Sequence, residues 1–278
     1  MTRLVKVGFF FLIVGVLLAY AQTRRPSVQE FFQTLVANYN PSSLPKLEQV
    51  VNITDQIAGE RPDDINKSLP AIFAAFGHQD DTVKAYAATA LFEIARRPDS
   101  AALLRSHIGD IGHELLTSPK PETRAGAMTI LGMLQPPPPE VVPIFLTFLR
   151  RTDPDSQAQA AGVIFQLVQV APGNPEVIAA IQEFFSRPLD SSTKIGVLNA
   201  LGNPGVRDVR LVSALIASLD DPDQGVRSTA IQALMRMNQD ALRQAEPALQ
   251  RLAADQKQPA EVTAAAKDAL QKLHPPQR

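Results

Sequence analysis

Apolar and polar positions recur along most of the chain with a period of about 36 residues. The two clearest copies cover residues 80–94 and 220–234, and each begins with a cluster of aspartates. In the first copy Val83, Ala87 and Ile94 fall at spacings that place them on one face of an α-helix. Weaker copies centre on residues 123–124, 156–157, 193–194 and 262–263. The pattern predicts a series of amphipathic helices, each preceded by a polar turn that can cap it.

A second amphipathic helix is predicted between successive copies, with bulkier apolar side chains. Examples are residues 141–149, 177–185 and 209–219, and residues 65–76 predict the equivalent helix before the first copy. The helices of the main pattern place a small residue at equivalent buried positions, so that neighbouring helices can approach closely: Ala87, Ala127, Ala160, Ala230 and Ala266. Because a single hairpin cannot bury its apolar face, the sequence predicts an all-α solenoid of about six stacked hairpins over residues 62–273.

The segments that flank the array have patterns of their own. Residues 22–61 predict two helices that cap the first hairpin. Residues 274–278 are polar and proline-rich and predict a disordered tail. Within the array, the prolines at 136–139 predict a stiff polyproline II spacer in preference to a docking site for a proline-binding module. Residues 202–205 predict a turn.

The amino terminus has the pattern of a secretory signal peptide. Arg3 and Lys6 precede an apolar run at residues 7–20, and a small residue follows at Ala21. This run is shorter than the stretch of about 20 residues that a membrane-spanning helix requires. We therefore expect residues 1–21 to be a signal peptide that is cleaved near Ala21, which predicts a periplasmic or secreted protein. The alternative is a membrane-anchored protein that retains this segment.

The repeated motif resembles the HEAT-repeat family. An aspartate-rich turn is followed by Val83-Lys84 or Val226-Arg227, with alanine three residues after the basic residue and Ala-Leu six and seven after it. The form is similar to the short bacterial repeats named after phycobilisome lyases. The resemblance implies a right-handed α-α superhelix in which basic residues and turn carboxylates form a ladder between repeats. By motif position, the implied ladder residues are Lys84, Arg124, Lys194 and Arg227, with Asp81, Glu122 and Asp223 as acidic partners.

Composition and charge exclude several classes of function. The chain is 45% hydrophobic and 20% charged, which is typical of a folded protein. Its net charge is −1, so it lacks the excess of positive charge expected of a nucleic-acid binder. It contains no cysteine, which excludes disulfides, thiolate metal ligands and cysteine nucleophiles.

No motif in the sequence predicts catalysis, a cofactor or a metal. The four histidines lack the pairwise spacing of a zinc helix, and the aspartates at 220–223 are better explained as helix caps than as a calcium loop. The two Ser-x-x-Lys matches, at Ser43 and Ser191, have none of the companion motifs of the corresponding enzymes. We therefore expect a noncatalytic protein. An exported enzyme with a site assembled from scattered polar residues remains the alternative.

A stripe of mixed side chains along the main-pattern helices is the candidate binding surface. Positions two, five and nine after each basic marker avoid the apolar face and lie along one side of each helix. We predict contact with a protein or peptide partner there, since solenoids bind along an extended helical surface. The candidate residues are Tyr86, Thr89, Glu93, Met133, Gln159, Gln166, Gln232 and Arg236. The predicted function is an exported binding scaffold.

Overall fold

The computed structural model describes residues 25–45, 47–134, 137–203 and 209–274, and these form helices without a β-strand. They divide into two compact units, unit 1 ending at Ser100 and unit 2 beginning at Ala101. The predicted signal peptide at residues 1–21 and all but the first residue of the predicted tail lie outside the described residues. The boundary predicted at residue 61 falls within unit 1.

The described part of unit 1 contains four α-helices. They are α1 (Val28–Ala37), α2 (Leu47–Gly59), α3 (Pro62–Phe76) and α4 (Asp81–Arg96), with a short 3-10 helix at Pro41–Ser43. Helix α1 packs on α3, α2 packs on α4, and α3 and α4 form the hairpin that the sequence predicts.

The described part of unit 2 contains five consecutive helical hairpins. The α-helices are α5 (Ile108–Thr117), α6 (Pro121–Met133), α7 (Val141–Leu149), α8 (Pro154–Val170), α9 (Pro175–Phe185), α10 (Ser191–Leu201), α11 (Val212–Ala217), α12 (Gln224–Met237), α13 (Gln239–Ala254) and α14 (Ala260–Leu273). A 3-10 helix at Ala101–His107 precedes α5, and two more, at Val209–Leu211 and Ser218–Asp220, flank α11. The odd-numbered helices are called A helices below, and the even-numbered ones B helices.

The hairpins of unit 2 stack in the order of the sequence. Among the A helices, α5 contacts α7, α7 contacts α9, and α11 contacts α13. The B helices form a second continuous row, in which α6, α8, α10, α12 and α14 each contact the next. The predicted all-α solenoid is therefore confirmed.

The predicted phase of the helices is also confirmed. All five alanines predicted to lie between helices are buried, with exposures of at most 1%: Ala87, Ala127, Ala160, Ala230 and Ala266. Val83, Leu91 and Ile94 are fully buried in α4, as the repeat pattern requires. Helical periodicity in the sequence thus correctly identifies the core of the B helices.

Aspartates at the turns cap the B helices, as predicted. The carboxylates of Asp80, Asp153, Asp190 and Asp223 each accept a hydrogen bond from a backbone amide in the first turn of α4, α8, α10 and α12, respectively. These bonds satisfy amide groups that have no partner within the helix. The aspartates of the repeated motif therefore have a structural role.

The proline run bends at its carboxyl end. Positions 135 and 136 lie outside the described residues, so the predicted polyproline II spacer is described only from Pro137 onward. The carbonyl groups of Pro138 and Pro139 accept hydrogen bonds from the amides of Val141 and Val142. The chain therefore already turns into α7 at the last prolines, because proline keeps its carbonyl as an acceptor although it lacks an amide donor.

Candidate functional site

The B helices of unit 2 leave one side without a neighbouring helix. Helix α8 contacts α6 and α10 in its own row and packs on α7 beneath it. Its exposed residues include Ala158, Phe165 and Gln169. They are spaced seven and four residues apart, which places them on one helical face. We call the exposed side of α6, α8, α10 and α12 the B-helix surface.

Phe165 is the most unusual residue of the B-helix surface. Its side chain is 36% exposed although α8 lies in the interior of the row. Met128 and Met133 on α6 are half-buried, so that apolar side chains extend to the neighbouring helix. Exposed aromatic and methionine side chains are common at protein-binding surfaces, because they offer a large apolar area with adaptable packing.

Glycines bring α6 and α8 into close contact beneath this surface. The thioether of Met128 occupies the space beside Gly162, where a Cβ atom would lie 2.9 Å from the sulfur. The carboxamide of Gln166 fills the equivalent space beside Gly132 and leaves no room for a Cβ atom there. Any larger residue at either glycine would displace these side chains. The two contacts fix the long side chains of Met128 and Gln166 across the helix boundary.

The predicted stripe residues of unit 2 all reach the protein surface to some extent. Met133, Gln159 and Gln166 are half-buried, whereas Gln232 and Arg236 are exposed. The guanidinium of Arg236 donates a hydrogen bond of 3.2 Å to the side-chain oxygen of Asn199 on α10. This hydrogen bond links a stripe residue of α12 to the neighbouring helix α10.

Gln159 differs from the other stripe residues, because its side chain links two repeats. Its amide group donates to the carbonyl of Pro121 at 2.5 Å, and its oxygen accepts from the Arg124 guanidinium at 3.4 Å. These contacts join α8 to the start of α6. Gln159 thus takes part in the packing of the array, a role that the sequence pattern does not reveal.

The three stripe residues of unit 1 lie on α4. The hydroxyl of Tyr86 donates to the carbonyl of Pro45 at 2.9 Å, which ties α4 to the segment before α2. The hydroxyl of Thr89 donates to the carbonyl of Ala85, one turn earlier. Glu93 accepts from Arg96 at 2.8 Å. Their polar groups are therefore engaged within unit 1.

Arg124 occupies the centre of the ladder in unit 2. Its guanidinium is buried and donates to the carbonyls of Ser118 and Pro119 at 3.0 and 3.2 Å. It also lies 3.7 Å from the carboxylate of Asp153 and 3.9 Å from that of Asp155, both in the following repeat. The acidic partners are therefore these two aspartates, whereas the resemblance implied Glu122. Glu122 itself is exposed in the first turn of α6.

The Asp153 carboxylate joins the cap of α8 to the ladder. Burial opposes its ionisation, but hydrogen bonds from the amide and hydroxyl of Ser156 and from the guanidinium of Arg151 outweigh this effect. They lower the pKa of Asp153 to about 2. The carboxylate therefore stays ionised well below neutral pH.

Lys194 forms the shortest ion pair of the ladder. Its ammonium group lies 2.6 Å from the carboxylate of Asp221, in the turn of the next repeat. The resemblance implied Asp223 as a ladder carboxylate, but Asp223 is turned toward the first amides of α12, as its capping bonds show. Asp221 forms the ion pair with Lys194, and Asp223 contacts the same helix through a hydrogen bond with the Ser191 side chain.

Arg227 repeats one part of the Arg124 geometry. Its guanidinium donates to the carbonyls of Asp221 and Pro222 at 2.6 and 2.9 Å, six and five residues earlier, as Arg124 does to Ser118 and Pro119. In unit 1, Lys84 is buried in α4 and Asp81 lies in the first turn of the same helix. Arg124 thus holds the turn of its own repeat and contacts the next one, whereas Arg227 shows the first of these contacts and Lys194 the second.

One region of the sequence matches the model of a known repeat family. Residues 187–271, which include α10 to α13 and most of α14, match the family model of HEAT repeats. The hairpins of this region are therefore similar to HEAT repeats. The predicted resemblance to that family is confirmed, whereas the narrower likeness to the phycobilisome-lyase type stays a prediction. No curated protein matches the chain significantly.

A solved structure supports the same fold over most of the chain. A HEAT-like repeat protein from the archaeon Thermococcus onnurineus NA1 is 18% identical, with a TM-score of 0.57 over 89% of this chain and 97% of that one. Two other structures are less similar in shape. An engineered protein is 22% identical, with a TM-score of 0.47 over 88% of this chain and 68% of that one. A designed armadillo repeat protein is 19% identical, with a TM-score of 0.41 over 89% of this chain and 100% of the other.

The sequence pattern missed a second set of basic residues in the hairpins of unit 2. Arg151 and Arg187 each follow the end of an A helix, 36 residues apart. The guanidinium of Arg151 donates to the carbonyl of Leu116 at 2.5 Å, and that of Arg187 to the carbonyl of Leu149 at 2.7 Å. Both acceptors lie near the end of the preceding A helix, where carbonyls lack helical partners. The recurrence of arginine at this spacing is the signal that could have revealed them.

Three of the four histidines form polar contacts. His78 accepts a hydrogen bond from the amide of Asp80, His107 contacts Asp110, and His274 contacts Glu246. Across the described ranges, no three histidine or acidic side chains are close enough together to hold a metal ion.

None of the helices in the described residues combines the length and the apolar character needed to cross a bilayer.

Proposed function

We propose that this protein is a noncatalytic scaffold that binds another protein through the B-helix surface of unit 2, outside the cytoplasm. The main observation in support is that Phe165 is exposed in the middle of a packed row of helices. A partner that covers this side chain lowers the free energy of the complex, because apolar area is then removed from water. The HEAT-repeat fold supports this proposal, since solenoids of stacked repeats offer extended surfaces for binding.

The neighbours of Phe165 support a protein as the partner. Half-buried methionines on α6 provide further apolar area, while Asn199 and Gln232 offer carboxamides that both donate and accept hydrogen bonds. A mixture of apolar and uncharged polar groups suits a polypeptide, which presents side chains together with backbone amides and carbonyls. The ladder beneath holds the helices at fixed spacing, so little conformational entropy is lost on binding.

Affinity capture from the envelope fraction of the source cells tests this proposal. The bait is the chain without residues 1–21, compared with Phe165→Glu on α8 and Thr147→Glu on α7. Thr147 is an exposed residue of an A helix and provides the matched control. We expect the bait and Thr147→Glu to retain the same polypeptide, identified by mass spectrometry, and Phe165→Glu to lose it. The proposal is wrong if none of the three proteins retains a polypeptide, or if Phe165→Glu retains it equally.

The extracytoplasmic location is a separate part of the proposal and rests on the amino-terminal sequence. We expect Edman sequencing of the protein from the envelope or medium to begin at Gln22. A chain in the membrane fraction that begins at Met1 would instead support the tethered alternative.

A further inference from the structure

The middle of the B-helix surface carries no charged residue beyond the first turn of each helix. This holds for residues 125–134 of α6 and its end, 157–170 of α8, and 195–203 of α10 and its end. The later turns of α12 and α14, by contrast, carry charged residues: Arg236 on α12, and Lys267, Asp268 and Lys272 on α14. The absence of charge is a property of this part of the row.

The cations in the first turns of α6 and α10 are engaged within the array. Arg124 on α6 is buried against the carbonyls of Ser118 and Pro119, and Lys194 on α10 pairs with Asp221 at 2.6 Å. Both cations are therefore already engaged, Arg124 with the turn of its own repeat and Lys194 with the turn of the next one. They offer a partner no strong counter-charge at the helix starts.

The exposed groups on this region are uncharged. Phe165 and the half-buried Met128 and Met133 supply the apolar area, and Gln166 and the exposed Gln169 supply carboxamides. An ionised side chain pressed against them would lose water without gaining an opposite charge, which is strongly unfavourable. An uncharged segment incurs no such loss, and its backbone can pair with the carboxamides.

We infer that the partner presents an uncharged polypeptide segment to α6, α8 and α10, with an aliphatic or aromatic side chain over Phe165. This inference rests on the proposed function, because it specifies what the B-helix surface binds. Affinity comes from burial of apolar area and from neutral hydrogen bonds, and selectivity comes from the exclusion of charged side chains.

Selection of a random phage-displayed peptide library on the chain without residues 1–21 tests the inference. Enriched peptides are counter-screened on Thr129→Glu and Phe165→Glu, which place a carboxylate on α6 and α8, and on Thr147→Glu as the control. Circular dichroism and the thermal midpoint of each variant establish that it is folded. Two variants on different helices are used, so that the failure of one to fold leaves the other as the test.

We expect the enriched peptides to share an uncharged core, to bind Thr147→Glu normally and to lose binding to both B-helix variants. Replacing the central residue of the best synthetic peptide by lysine should weaken its binding at least about tenfold. The Kd of the parent peptide should change little between about 50 and 500 mM NaCl, because no ion pair is formed.

The outcomes separate this inference from the proposed function. Enriched peptides with a charged core that still need Phe165 would overturn the inference and leave the scaffold function standing. If no peptide is enriched, or if the peptides bind Phe165→Glu and Thr129→Glu unchanged, both are wrong.

Discussion

At the scale of single residues, buried basic side chains fix the turns of the array. Arg124 contacts two carbonyls of its own turn and approaches two carboxylates of the next repeat. The repeat pattern predicted the position of this arginine but not its contacts. Those depend on which way each carboxylate points in a turn, as the choice of Asp221 over Asp223 by Lys194 illustrates.

We predict that Arg124→Ala lowers the free energy of unfolding by about 2 kcal/mol, because buried carbonyls lose their donors. Urea denaturation measures this change. Arg243→Ala is the matched control, since its guanidinium is 62% exposed beside Asp240. That substitution should change stability by less than about 0.5 kcal/mol. Equal effects of the two substitutions would show that Arg124 does not hold the turn.

The second residue-scale prediction concerns Asp153. Its pKa is lowered in the folded protein to about 2, so its ionised form stabilises the fold above the ordinary aspartate pKa of about 4. This contribution is lost as the pH falls from about 4 towards 2. An asparagine side chain at this position would still accept the capping bond but could not ionise.

We therefore expect Asp153→Asn to be less stable than the wild type at pH 6, with the difference in thermal midpoint shrinking towards zero at pH 2. Both proteins should lose stability in acid, because hydrogen bonds from the Thr193 and Val226 amides also lower the pKa values of Asp190 and Asp223. A constant difference from pH 6 to pH 2 would contradict the role assigned to Asp153.

At the scale of helices, sequence periodicity accounts for most of what the structure shows. It located the buried alanines because a helix returns to the same face every three or four residues. It missed Phe165, because the candidate stripe took positions two, five and nine after each marker, whereas Phe165 lies eight after Gln157. Periodicity also cannot show that Gln159 bonds across to Pro121, since that contact depends on the distance between two helices.

The spacing between α10 and α12 depends on a glycine. A Cβ atom at Gly202 would lie 2.7 Å from the Cα of Ala233. Gly202→Ala should therefore force the helices apart and cost about 1 to 3 kcal/mol of stability. Gly109→Ala on α5 is the control, because nothing lies within 4 Å of its Cβ position. We expect that control to be neutral or slightly stabilising in thermal unfolding. Unchanged stability of Gly202→Ala would mean that the two helices are not in close contact.

At the scale of the molecule, the stacking of helical hairpins explains both the continuous core of unit 2 and its exposed B-helix surface. Each hairpin buries its apolar face against its neighbours, so the core is continuous although every contact is local in sequence. The same stacking sets the B helices side by side and leaves one side of the row uncovered. The sequence repeat was enough to predict the fold class. The uncharged region of the B-helix surface could not be predicted, because it depends on which helices are adjacent in the fold.

Site-specific photocrosslinking in the source cells tests the central claim most directly. A benzoylphenylalanine replaces Gln232, on the B-helix surface, or Gln250, an exposed glutamine of the A helix α13. Binding through the B-helix surface predicts that irradiation joins one polypeptide to position 232 and not to position 250. The same adducts at both positions, or none at position 232, would contradict it.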